Sequence, residues 1–323
     1  MTRRIATALT VLTLLAACGS ARETSDPAAP SGRVPPPVGV EDPAKVTFPS
    51  AQPPNCVPRA SYRPQGALPA PRQMPAGSTM ASIVQRGRLI VGVDQNAYLF
   101  GFRDPDTGQL AGFEIEIAKE VARALFGDPE AVQFRAITTA DRIPVLERKE
   151  VDMVVRTMTM TCERWQQITF STEYLTSRQR LLVNKGSGID GFEDLGGKKV
   201  CATKGSTSIR VIASAPSKPI PVGTDSTLDC LILLQQAQVD AVSTIDVLLA
   251  ALAAQDPATE ITGAGITDEP SAIGVPKAHV DFARFINGVF ERIRADGTWA
   301  AIYTRWLHRL GPTPAPPAPQ YQD

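Results

Sequence analysis

Two rounds of strand–helix alternation predict an α/β protein built as two lobes. Each round opens on a buried-type strand that runs into a glycine signal. A closing amphipathic stretch, Phe282 to Leu307, then leads back to the first lobe, so the chain crosses between lobes twice.

In the first round, Arg88 to Asp94 reads as a buried strand, and Gly112 to Leu125 as a helix with Ile115, Ala118, Val121, Ala122 and Leu125 on one face. Val132 to Ile137 is a second strand, Arg142 to Arg148 a helix, and Val151 to Val155 a third strand. The second round begins with the strand Lys199 to Thr203. The helices Ser206 to Ala213 and Thr227 to Gln236 follow, then the strand Asp240 to Ser243. Strands separated by helices imply parallel sheets covered on both faces. Within the closing stretch, Phe285, Ile286, Val289, Phe290 and Ile293 keep helical spacing.

Composition narrows the function. With 323 residues, 43% of them hydrophobic, and a net charge of +0, the chain can pack one or two domains. It carries no Lys/Arg-rich block, so a nucleic-acid partner is not expected. Its two histidines, His279 and His308, read as surface residues, and neither a metal nor another cofactor is expected. Residues 19–78 hold half of the 28 prolines and read as a semi-stiff polyproline spacer or simple slack, into which Cys56 is set. The Pro/Ala-rich end, 311–323, is expected to trail over the surface.

At the other end, Arg3 and Arg4 precede a short apolar run that closes on Leu15-Ala16-Ala17-Cys18. The run is too short to span a bilayer and reads as a secretory signal. Its terminal cysteine resembles the bacterial lipobox, which implies a signal peptide over 1–17 and lipidation of Cys18. An ordinary signal peptide is the alternative. One acyl chain holds a membrane marginally and two or more hold it firmly. The mature chain is therefore expected on the outer face of the cytoplasmic membrane. There, the even set Cys56, Cys162, Cys201 and Cys230 would form two disulfides, with three pairings open.

A series of ordered motifs carries a family resemblance over residues 80–308. They are Gly87 to Asp94, Phe102 to Ile117, Val151-Asp-Met153, Thr157 to Arg164, Ile168 to Ser171 with Tyr174, Asp194 to Val200, Gly205 to Ser208, Val239 to Asp246 and Ile293 to Trp306. The series resembles the polar-amino-acid members of the bacterial extracellular solute-binding proteins, family 3. Ile137 to Leu146 is similar to the aspartate/glutamate branch. Cys201 before Gly-Ser-Thr-Ser, together with Cys230, resembles actinobacterial glutamate/glutamine-binding lipoproteins.

This resemblance implies a periplasmic-binding-protein type II fold, two α/β lobes joined by two hinge strands near 175–180 and 268–274. Lobe 1 would take 79–177 and 272–310, lobe 2 178–271, after a spacer over 18–78. It favours Cys201–Cys230, which leaves Cys56 with Cys162. The implied activity is a receptor, not an enzyme, for glutamate, aspartate, glutamine or asparagine. It would work as a monomer with an ABC permease or a membrane sensor. An enzyme of the cyclohexadienyl-dehydratase kind on the same fold is the alternative.

The expected site follows from the chemistry of a zwitterion, whose charges cost many kcal/mol to bury unpartnered. Arg164 offers a rigid fork to a carboxylate, supported by Thr159 and by the helix start at Ser206 and Thr207. Asp246 and the Thr157 carbonyl are expected to face the ammonium. The bland alternatives are an Arg164–Glu163 surface ion pair and an Asp246 helix cap. For the ligand side chain, Asp94 would accept from an amide and Arg156 would admit an acid, unless Arg156 is only a solvated charge. Phe102, with Tyr98 and Phe100, would wall the methylenes or pack in the core.

Overall fold

Helix α1 (Thr79–Arg86) leads into strand β1 (Leu89–Val93), and β2 (Asn96–Ala97), β3 (Gly101–Arg103) and β4 (Leu110–Ala111) form a small antiparallel sheet beside it. Then come α2 (Phe113–Phe126), β5 (Val132–Ala136), α3 (Arg142–Glu147), β6 (Met153–Val154), α4 (Cys162–Gln167) and β7 (Ile168–Leu175). The second series is β8 (Gln179–Asn184), β9 (Lys199–Thr203), α5 (Thr207–Ser214), β10 (Ile220–Thr224), α6 (Thr227–Gln235), β11 (Ala241–Ile245), α7 (Asp246–Ala253) and β12 (Thr259–Thr262). Strand β13 (Ser271–Pro276) returns the chain to the first sheet, and α8 (Val280–Ala295) and α9 (Thr298–Leu307) cover it. This computed structural model describes residues 34–48 and 56–323, of which 36–323 form one unit. The expected signal peptide and Cys18 lie outside the described residues.

Two five-stranded sheets organise the fold, in the orders β5-β1-β6-β13-β7 and β10-β9-β11-β8-β12. The expected parallel pairing holds only for the triplets β5-β1-β6 and β10-β9-β11. The strands that carry the chain between the sheets, β7, β8 and β13, pair antiparallel, as does β12. A strand arriving from the other lobe meets the triplet from its opposite end. Periodicity within one strand does not record that direction.

Burial explains the helices. Helix α2 starts at Gly112, whose φ is 126° and where a Cβ would lie 2.3 Å from the Phe100 carbonyl oxygen. It buries Ile115, Ala118, Val121, Ala122 and Leu125 against the first sheet and α8. The closing amphipathic stretch is two helices, because Gly297 takes φ 81° and ends the first. Trp299 and Tyr303 of α9 then stack and pack on Phe113.

Both cysteine pairs are bridged. Cys201 of β9 joins Cys230 of α6, and Cys56 joins Cys162 at the start of α4. The first bridge closes a separation of 29 residues. Removing it with Cys201→Ser and Cys230→Ser is expected to cost about 3–4 kcal/mol of unfolding free energy in the chain-entropy account. An unmoved urea midpoint would show that the bridge contributes nothing.

The Pro-rich ends are laid on the body over their described residues, held there by backbone and side-chain hydrogen bonds. Glu41 and Gly223 exchange backbone hydrogen bonds at the outer edge of β10. The Ser61 hydroxyl donates to the Phe170 carbonyl at 2.7 Å, and the Trp165 indole N–H donates to the Pro58 carbonyl at 2.8 Å. At the far end, Gln322 N–H donates to the Ser61 carbonyl, and Asp323 pairs with Arg284. Extended segments rich in proline have few internal partners, and here a sheet edge and a neighbouring extended segment supply them.

Candidate functional site

The carboxyl ends of the two parallel triplets face each other across a small pocket. From the first sheet side it is lined by Asp94, Thr139, Arg142, Arg156, Thr157 and Thr159. The second side gives Thr203, Ser206, Thr207, Ser208, Thr227 and Thr244, with Ile245 and Leu248 as the apolar part of the wall. Loops after parallel strands collect side chains from several strands at one place, which is why such crevices bind ligands.

The two sides touch closely at Gly205. Its φ of 72° suits glycine, and a Cβ there would lie 2.9 Å from the Ala140 Cα. Beyond it, Ser206 caps α5 by accepting from the Ile209 N–H. That leaves the first-turn N–H groups of Thr207 and Ser208, which no intrahelical carbonyl reaches, at the pocket.

Arg156 is 3% exposed, so it is not a solvated charge at the sheet edge. It forms a 2.7 Å ion pair with Asp94 and donates to the Ile137 carbonyl and the Thr139 hydroxyl. The other Asp94 oxygen accepts from the Gln95 and Asn96 N–H groups. The two expected side-chain selectors therefore satisfy each other.

Arg142 was absent from the expected site. It is 4% exposed and donates to the carbonyls of Thr139, Arg156 and Thr157. Among the described residues no carboxylate pairs with it, and its Nη2 has no protein acceptor. Burial, then the charges of Arg164 and Arg156, pull its pKa well down, so an arriving anion would be strongly favoured. One signal for it existed: an arginine entering a short helix whose other inward residues, Val145 and Leu146, are apolar.

Arg164 is 3% exposed and does not pair with Glu163, which instead meets Arg210 at 2.6 Å. Its guanidinium ties the two sides together, donating to the Thr159 carbonyl at 2.8 Å and the Gly205 carbonyl at 3.2 Å. Burial lowers its pKa to about 10, so it stays charged at neutral pH. It lines not the pocket but a second cavity, bounded also by Glu41, Phe48 and Pro144, which shares Ser206 with the pocket.

Glu269 is the other residue that the sequence did not flag. It lies on the return crossing, 3% exposed, and one of its oxygens accepts from both the Thr159 and the Thr207 hydroxyls, at 2.6 and 2.8 Å. The Thr159 hydroxyl, expected to donate to a ligand, donates to this internal acid instead. A lone glutamate before a proline carries no signal of such a contact.

Three further expectations are corrected. Asp246 opens α7 and accepts from the Val247 and Arg178 N–H groups, outside the pocket lining. A carboxylate at a helix start is drawn to the helix's own N–H groups, and the strand's last residue, Ile245, takes the wall. The Thr157 carbonyl, expected to face an ammonium, accepts from Arg142 at 3.2 Å. Phe102 packs edge-on against Tyr98 and Trp306 and does not line the pocket, while Phe100 is in the core against Phe113.

Thr157 itself is strained, with φ 37° at a β-branched residue. Its N–H is held by Glu114, which also accepts from the Tyr174 hydroxyl. Burial pushes the Glu114 pKa up from 4.5 to about 7. The folded protein thus keeps a proton that the unfolded chain loses, so stability falls as pH rises from 4.5 to about 7, by about 3 kcal/mol. Comparing wild type with Glu114→Gln in urea at pH 5 and pH 7.5 checks this. An identical pH dependence in both would refute it.

Sequence comparison places these features in a family. Residues 89–309 match the bacterial extracellular solute-binding proteins, family 3. The chain belongs to that family. Among family 3 relatives, the "ABC transporter glutamine-binding protein GlnH" of Bacillus subtilis is 36% identical over 230 residues, covering 71% of this chain and 84% of the relative. The "Glutamate-binding protein GluB" of Corynebacterium glutamicum is 27% identical over 243 residues, 72% of this chain and 82% of that one. A solved L-cysteine solute receptor of Neisseria gonorrhoeae superposes with a TM-score of 0.68 at 26% identity, covering 71% of this chain and 94% of the receptor. The family is extracellular, its structural neighbours have the type II binding-protein fold, and the relatives named here are binding proteins.

Proposed function

We propose that the chain is an extracytoplasmic receptor that closes on a polar amino acid, preferring glutamate and aspartate and accepting glutamine and asparagine. The observation that carries this reading is two buried guanidiniums, neither ion-paired among the described residues: Arg142 lines the interlobe pocket, and Arg164 lines the adjoining cavity and donates to the Thr159 and Gly205 carbonyls beside it. Arg164 and the first-turn N–H groups at Thr207 and Ser208 receive the α-carboxylate. Arg142 receives the side-chain carboxylate, and the Asp94–Arg156 pair sets the shape of that end. Thr157 and Ser206 complete the wall. Contacts from both lobes make ligand binding favour the closed state. The glutamine- and glutamate-binding relatives support the ligand class, and the first of them supports delivery to an ABC importer. In this reading Cys18 carries the lipid that holds the receptor at the membrane.

A thermal-shift screen of the purified chain against the common amino acids tests it. A ligand at a hundred times its Kd adds about 2.7 kcal/mol of stability, so glutamate and aspartate should give the largest rises in Tm. If no amino acid raises Tm, the reading is wrong.

A further inference from the structure

A free amino acid brings an ammonium as well as carboxylates, and the one acid that lines this pocket among the described residues, with those that touch its lining, is already engaged. Asp94 is ion-paired with Arg156 and holds two backbone N–H groups. Glu269 accepts from Thr159, Thr207 and Thr267 and does not itself line the pocket. Glu114 is fully buried behind Thr157 and Tyr174. Asp246 turns out to its own helix start, and the wall at the end of β11 is Ile245 beside Leu248. The Thr157 carbonyl already accepts from Arg142, so an ammonium placed on it would sit beside a guanidinium. Like charges at such range repel.

We infer that this pocket, together with the cavity that joins it at Ser206 and is lined by Arg164, recognises two carboxylates and gives an α-ammonium no ionic partner, so that C4–C5 dicarboxylates lacking the amine are ligands comparable with the acidic amino acids. The inference rests on the proposed placing of one carboxylate at Arg164 and the other at Arg142. It assigns the preference to Ile245, whose apolar side chain stands where an acid would reach the ammonium.

Isothermal titration of the purified full chain with L-glutamate, L-aspartate, glutarate, succinate, 2-oxoglutarate and L-glutamine tests it. Glutarate or 2-oxoglutarate is expected within tenfold of glutamate, and succinate within tenfold of aspartate. If the amino acids bind more than tenfold tighter than these analogues, the inference fails while the acidic amino-acid reading stands. If neither class binds, or glutamine alone does, both fail. In Ile245→Asp the ratio of glutamate to glutarate affinity should rise at least tenfold, and an unchanged ratio would overturn the assignment to this position. Should that variant not fold, the wild-type panel decides alone.

Discussion

Arg164→Met is expected to weaken glutamate binding by a hundredfold or more, the largest loss from any single substitution at this site. Methionine keeps much of the buried stem and removes the charge and its donors. A ligand carboxylate then enters the cleft unpaired, and truncating one partner of a buried charge-assisted pair costs about 2–5 kcal/mol. The same guanidinium donates to the Thr159 and Gly205 carbonyls, so its loss also removes a tie between the two sides, and a looser cleft is expected. Titration calorimetry reads the first effect and small-angle scattering with glutamate present reads the second, as an increase in radius of gyration. Binding within threefold of wild type would remove Arg164 from the site.

The second large effect separates ligands from one another. Arg142→Gln is expected to cost glutamate and aspartate about a hundredfold and glutamine less than tenfold. The substituted amide can still donate one hydrogen bond to a side-chain oxygen but no longer balances a negative charge. Removing Arg142 relieves a cation that burial and two neighbouring arginines disfavour, and it also takes the donor from the Thr139, Arg156 and Thr157 carbonyls, so the ligand ratio and not stability is the readout. Equal losses for glutamate and glutamine would mean that Arg142 is structural rather than selective.

These two arginines differ in how visible they were. Arg164 stands in a motif whose family resemblance pointed to a carboxylate partner, and it is 3% exposed and donates to the Thr159 and Gly205 carbonyls. Arg142 stands in one of the family-like motifs too, yet its one local cue, the apolar Val145 and Leu146 that follow it, does not say what its guanidinium meets. Its state depends on Thr139, Arg156 and Thr157 arriving from other elements. Asp246 shows the limit most sharply. Its type and neighbourhood suited an ammonium partner, but a shift of a single position between strand end and helix start sends its carboxylate to backbone N–H groups and puts Ile245 at the wall.

The linear pattern by itself determined the alternation of strands and helices, the two-lobe plan and the return helices, because apolar spacing is a local property that burial on one face enforces. Both cysteine pairs were also anticipated, through resemblance rather than spacing. Only the tertiary structure decided the antiparallel crossing strands, the docking of both Pro-rich ends, the closed Asp94–Arg156 pair and the internal acid Glu269. Each of these depends on which groups remain unpaired once the lobes meet. Hydrogen-bond and charge satisfaction is settled across the whole assembly, between residues as far apart in sequence as Thr159 and Glu269, and no local window contains both partners.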